Sequence, residues 1–202
     1  MRNNLYIIME KKLYIMMMAI ALCLLPVSNA CAQRLAVKTN LFADALVSPN
    51  IEVEALVASR WTLGLAMHYQ PFAPDDNRRW KHWLLQPEAR HWLCTPFAGH
   101  FWGVHLMGGR FNVGGVHLPL QLLKGAREAR YEGWLLGAGI SYGYHWLLTS
   151  RWGIEASLGV GAAFLRSDRY RCGRCGSKQR NVKNLGYYGP TKAAISVVYM
   201  IK

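Results

Sequence analysis

Residues 134–164 read WLLGAGISYGYHWLLTSRWGIEASLGVGAAF, and their period is two. From Trp134 the even positions Leu136, Ala138, Ile140, Tyr142, Tyr144 and Trp146 are apolar, while Gly137, Gly139, Ser141, Gly143 and His145 take the odd ones. The pattern resumes with Trp152, Ile154, Ala156, Leu158, Val160, Ala162 and Phe164 on one face and Gly153, Glu155, Ser157, Gly159 and Gly161 on the other. A helix groups its apolar residues three and four apart, whereas strict alternation puts them on one side of a strand. The stretch is therefore two strands, each with one greasy face and one small or polar face.

The same rule extends outward along the chain. Leu35, Val37, Thr39 and Leu41 alternate with Lys38 and Asn40; Ile51, Val53, Ala55 and Val57 with Glu52 and Glu54; Trp61, Leu63, Leu65, Met67 and Tyr69 with Thr62, Gly64, His68 and Gln70. At the C-terminal end Ala193, Ile195, Val197, Tyr199 and Ile201 oppose Lys192, Ala194 and Ser196. Two segments, about 83–93 and 100–112, are less regular, because Pro87 interrupts the first and glycines leave the facing of the second open. That makes eight strands. The expected connections near Ser59-Arg60, at Thr95 to Gly99 and at Thr149 to Arg151 are short. The others, about 43–49, 71–82, 113–131 and 165–190, are mostly longer and rich in Pro, Gly, Asn or charge. Alternating short and long connections are the mark of a barrel that crosses an outer membrane, with turns inside and loops outside. The predicted fold is all-β, an eight-stranded antiparallel up-and-down transmembrane β-barrel.

The N-terminus is consistent with export. Arg2, Lys11 and Lys12 precede an apolar run from Leu13 to Leu25, and Ala30-Cys31-Ala32 has the small-x-small form of a cleavage site. The run is shorter than the ~20 residues a membrane helix needs. Residues 1–32 are expected to be a signal peptide cut after Ala32, and 33–202 the barrel domain. A lipoprotein with Cys31 acylated is the alternative, which Ser28 and Asn29 fit poorly.

The chain of 202 residues has a net charge of +13, and losing Arg2, Lys11, Lys12 and Glu10 with the leader leaves +11. In a cytosolic protein such a balance suggests nucleic acid. Export removes that partner and points instead to the anions of an envelope, outer-membrane lipid and lipopolysaccharide. Location in the outer membrane of a Gram-negative bacterium follows.

Aromatic placement is a third indicator, since Trp and Tyr favour the boundaries between water and bilayer. Trp61, Trp102, Trp146, Trp152 and Tyr199 fall at expected inner ends of strands, and Tyr69, Trp83 and Trp134 at outer ends. They read as two girdles. A core of ordinary aromatics in a soluble sandwich is the competing explanation, because half-buried soluble sheets also alternate.

An eight-stranded barrel is narrow, so inward charges must find each other. The facing sends Lys38, Glu52, Glu54, His68, Glu88, Arg90, Glu155 and Lys192 inward: four carboxylates against three fixed cations and a histidine. A near-balanced polar plug is expected, with no open channel. Carboxylates near a histidine also suit general acid–base chemistry of a lipid-A-modifying barrel, but no nucleophile motif accompanies them.

Cys172-Gly173-Arg174-Cys175 places a C-x-x-C in the longest expected loop. In an oxidising compartment a local disulfide is favoured; a metal or thiol exchange is the alternative, although zinc usually needs four ligands. The same loop holds Arg166, Arg169, Arg171, Arg174, Lys178, Arg180 and Lys183 against Asp168 alone, a basic run suited to lipopolysaccharide phosphates. The seven histidines form no metal-binding motif. Neither a metal nor another cofactor is expected.

The stretches KTNLFADALVSPNIEVE, HWLLQPEARHW, GHFWGVHL, YEGWLLGAGISYGYHWLLTSRWGIEASLGVGAAF, CGRCG and YYGPTKAAISVVYMIK resemble an uncharacterised domain-of-unknown-function family of small exported barrels from gut and oral anaerobes. The resemblance covers roughly 38–202. It implies an outer-membrane protein, some relatives of which are encoded beside fimbrillin and OmpA-like genes, and so an accessory role in fimbria assembly or envelope anchoring. It brings no catalytic residues. The chain departs from the commoner outer-membrane pattern in ending on Lys202 where an aromatic residue is usual. The expected function is a structural or interaction barrel and not an enzyme, with fimbrial or other envelope proteins as partners. A lipid-A-modifying enzyme and a soluble, lipocalin-like periplasmic binder are the alternatives.

Overall fold

A computed structural model describes residues 35–71, 79–114, 130–170 and 178–201. Eight strands run in chain order: β1 Leu35–Asn40, β2 Asn50–Ala58, β3 Trp61–Gln70, β4 Arg79–Trp92, β5 Gly99–Gly114, β6 Arg130–Leu147, β7 Trp152–Tyr170 and β8 Lys178–Ile201. One short helix, α1 at Leu41–Ala45, follows β1. Each strand pairs antiparallel with its neighbours in sequence, and β1 pairs with β8, so the sheet closes into a barrel without an open side. All these residues belong to one compact unit, Gln33–Lys202.

The alternation decides which way each side chain points, and the result inverts a soluble protein. Outward-facing Leu158 is 71 % exposed and Ile140 62 %, while inward-facing Lys38 is 2 % exposed and Arg90 and Glu54 are 0 %. Charged residues seldom bury unless paired. Here a cluster of charges is buried while many large apolar side chains face outward.

Closure also staggers the strands. Stepping along the ladder from Leu35 through Ala55, Leu63, Ala89, Val104, Ile140 and Val160 ends at Pro190, whereas Leu35 itself pairs with Ile201. The strands therefore tilt, as a narrow barrel requires. Bulky inward rings need room in so narrow a lumen, and glycines supply it. A Cβ at Gly143 would stand 2.4 Å from Phe101 Cζ, and one at Gly153 2.1 Å from His145 Nε2. That explains the small face of β6 and β7.

Several expected boundaries need correction. The loop expected over 165–190 is mostly strand, since β7 continues to Tyr170 and β8 begins at Lys178. Arg166 and Arg169 therefore lie on β7, and Lys178, Arg180 and Lys183 on β8. Past Phe164 both faces turn polar, which hides the alternation without ending the ladder. Leu41, read as the end of the first strand, instead opens α1, so 41–49 is not a plain loop. Pro87 does not break β4: it pairs with Leu65 of β3 and only the rungs of Gln86 and Pro87 toward β5 are missing, as expected of a residue without an N–H. The connections at Ser59-Arg60, 93–98 and 148–151 are short and share an end with the start of β1 and the close of β8, here the turn end. Arg171, Cys172, Arg174 and Cys175 lie outside the described residues.

β1 is only six residues long, and beyond Ser196 the edge of β8 toward β1 has no strand partner among the described residues. Asn40 takes over. Its side chain donates to Ala193 O at 3.1 Å and accepts from Ile195 N at 3.2 Å, both on the edge of β8. The same oxygen caps α1 by accepting from Phe42 N at 3.1 Å, the usual work of an asparagine N-cap. Asn50 and Asp44 complete the tie, with Asn50 Nδ2 donating to Asp44 at 2.8 Å and to Asn40 O at 3.1 Å. Replacing Asn40 by alanine leaves three backbone groups without their partner, and we expect a loss of about 1–3 kcal/mol. Hydrogen exchange at the Ile195 amide reads the effect directly and should accelerate; unchanged protection would contradict the role given to Asn40.

Candidate functional site

Arg90 is the centre of the lumen. Projected inward from β4 and fully buried, it reaches all four lumen carboxylates. Its Nη2 lies 2.6 Å from both Glu52 Oε1 and Glu88 Oε2, its Nη1 2.5 Å from Glu54 Oε2 and 3.3 Å from Glu155 Oε1. Nε adds a second bond to Glu88 at 2.7 Å. A planar guanidinium with five N–H donors can serve several acceptors in this way.

Two lysines complete the cluster. Lys38 of β1 donates to Glu155 at 2.5 Å, also contacts Glu54, and stands 3.7 Å from Glu52. Lys192 of β8 bonds Glu88 at 2.5 Å. Alternation on β1, β2, β4, β7 and β8 thus brings seven of the eight residues expected in the lumen into one ion network. His68, the eighth, faces inward without joining it and lines a cavity above the cluster with His82, Gln86, Thr191 and Lys192, about 250 Å³ in volume.

Other groups in the network carry no charge and were not singled out by sequence. Ser141 donates to Glu88, and Thr62 donates to Glu54 while accepting from Trp92 Nε1 at 3.0 Å. His145 Nδ1 is 3.7 Å from Glu155. The positions of Thr62, Ser141 and His145 on the small or polar face of the alternation were their only signal.

Beneath the ions the lumen is sealed by Ala36, Trp92, Phe97, Phe101, Val198 and Met200. Phe97 sits in the turn between β4 and β5 with φ of 60°, a strained conformation for a non-glycine residue. Its ring is nevertheless 1 % exposed and packs 5.8 Å from Trp92, so packing holds the strain in place. Arg90 also stacks 4.9 Å above Phe101, linking the charges to this stopper.

The eight aromatics expected in girdles all face outward. Trp61, Trp102, Trp146, Trp152 and Tyr199 ring the turn end, with Trp61 5.6 Å from Trp102 and Trp152 4.9 Å from Tyr199. Tyr69, Trp83 and Trp134 lie toward the far end, where Phe164 joins Trp134 at 5.8 Å. Cys94 is exposed in the turn after β4.

A family model described as "Protein of unknown function (DUF3575)" matches residues 15–201. The chain belongs to this family. The DUF3575 match takes in all eight strands and the whole ion network. No curated protein and no solved structure matches the chain. In this DUF3575 barrel the arrangement is chemically a set of acids neutralised by cations: each lumen carboxylate contacts at least two cationic side chains, or one and a hydroxyl or ring nitrogen.

Removing one partner from a buried ion network leaves uncompensated charge, which is far costlier than never having the network. Arg90→Met should therefore destabilise the barrel by on the order of 3–5 kcal/mol. Arg90→Lys should recover only part of this, because an ammonium cannot span four carboxylates. Urea titration followed by loss of the folded gel species measures both; a methionine variant as stable as the parent would show that Arg90 does not hold the lumen together.

Proposed function

We propose that the chain is a non-enzymatic β-barrel of an outer membrane, a structural or interaction protein of the cell envelope. The observation that carries this reading is the outward face. On the strands, among the described residues, no Asp, Glu, Lys or Arg faces outward between the two aromatic groups, while Leu63, Leu65, Met67, Val104, Leu106, Leu136, Ile140, Leu158 and Val160 are all exposed there. Asp44 of α1 is engaged locally, accepting from Thr39 at 2.7 Å and Asn50 at 2.8 Å. Water would not tolerate so continuous an apolar belt.

Its height matches a bilayer. Trp134 and Trp146 lie on one strand, twelve residues apart. At roughly 3.3 Å per residue and a tilt of about 45°, that is about 28 Å along the barrel axis. The apolar band of outer-membrane barrels is about 25 Å tall. On this reading the short turns, with Leu35 and Ile201 beside them, face the periplasm, and the opposite rim of the barrel faces outside.

The lumen supports a structural role and not catalysis. Among the described residues its carboxylates are engaged by Arg90, Lys38 and Lys192, and Trp92, Phe97 and Phe101 fill the lumen toward the turn end. A part in fimbria assembly or anchoring remains part of the proposal through the loops, where such a barrel presents its working surface. The test is cell fractionation followed by gel migration with and without boiling. Outer-membrane location and a heat-dependent mobility shift are expected; a soluble protein with unshifted migration would overturn the membrane reading in favour of a periplasmic binder.

A further inference from the structure

The outer girdle carries cations that the lumen does not use. Arg110 of β5 lies in register between Trp83 of β4 and Trp134 of β6, and Trp134 pairs in turn with Arg166 of β7. One outward-facing position further from the turn end, Lys81 pairs with Asn112. Lys81, Arg110 and Arg166 are exposed, and none of the three forms an ion pair among the described residues. Glu132, the acid on the neighbouring rung, is already held by Arg130 at 2.6 Å. The glycines of β5 left the facing of Arg110 open in the sequence, and the ladder resolves it outward.

These residues also share a hollow. Tyr69, Trp83, Lys81, Arg110, Asn112 and Glu132 line a surface depression of about 280 Å³, toward the small end of ligand sites. Two aromatic rings and two unpaired cations stand together at the level where hydrocarbon gives way to headgroups. A guanidinium at that boundary is best satisfied by an anionic oxygen acceptor, and phosphate accepts two parallel N–H bonds from it. The aromatic faces beside it offer an apolar platform to the C–H side of a sugar ring.

We propose that this depression binds the phosphate-bearing headgroup of an outer-leaflet glycolipid, with Arg110 and Lys81 on the phosphate and Tyr69 and Trp83 against the sugar. Arg166, about 10 Å from Arg110 across two strand spacings, serves the adjoining headgroup. The proposal rests on the membrane reading, and it goes beyond it by assigning a headgroup site and the residues that select its occupant.

The test uses the full chain in mild detergent, with binding read by native mass spectrometry. The probes are lipid A, the same lipid with its phosphate removed, and phosphatidylglycerol. The parent protein should retain lipid A in preference to both others. The Lys81→Ala/Arg110→Ala double variant should bind lipid A about tenfold more weakly or worse while keeping its heat-dependent gel shift. Equal retention of the phosphorylated and dephosphorylated lipids would overturn the phosphate contact, and equal retention of phosphatidylglycerol would overturn the sugar contact. Should the double variant fail to fold, the three-lipid comparison on the parent protein decides the matter alone. A parent protein that needs no detergent and shows no gel shift would instead fail at fractionation, before any lipid is added.

Discussion

Everything in this barrel is subordinate to the contact between one guanidinium and four glutamates. Eight strands enclose a lumen too narrow for bulk water, so a charge that points inward must be neutralised by another side chain. Arg90 meets Glu52, Glu54, Glu88 and Glu155, which come from β2, β4 and β7. Lys38 and Lys192 bring in β1 and β8. Five of the eight strands are thereby bound from the inside by one network, and the geometry of the wall is set by what that network can reach.

The wall answers this demand in its composition. Rings and long side chains project inward from β4 and β5, and the facing strands β6 and β7 respond with glycine, alanine and serine on their inner side, as at Gly143 beneath Phe101 and Ser141 beside Glu88. The outer side is released from these constraints. It needs only apolar bulk between two belts of aromatic rings, which is why Leu, Ile and Val alternate there with so little regard for shape. The inner face is specific and the outer face generic.

Legibility followed the same division. In Trp134–Phe164 one face is apolar and the other small, so period, facing and even the lumen partner Glu155 could be read directly. Where both faces are polar the signal vanishes: the far parts of β7 and β8, with Arg166 and Lys178, read as loop although the ladder continues. α1 was hidden because Leu41 keeps the alternation for one residue more, and only Asn40 turning from strand to cap ends it. Arg110 was lost among glycines, whose missing side chains reveal no facing. Thr62 and Ser141 were legible as inward positions, but hydroxyls announce no partner until the acids beside them are in place. The ion network was readable because an acid or a base on the small face of a strand has few places to go.

The closing ladder between β1 and β8 joins residues as distant as Lys38 and Val198 through only six rungs. Bringing such remote segments together carries the largest loop-closure cost in the chain, and long-range pairings form late. Lys38 spans this joint: anchored on β1, it grips Glu54 on one side and Glu155 of β7 on the other, beyond β8. A lysine inside the lumen thus works as a clasp, holding from within a seam whose two sides lie at opposite ends of the chain.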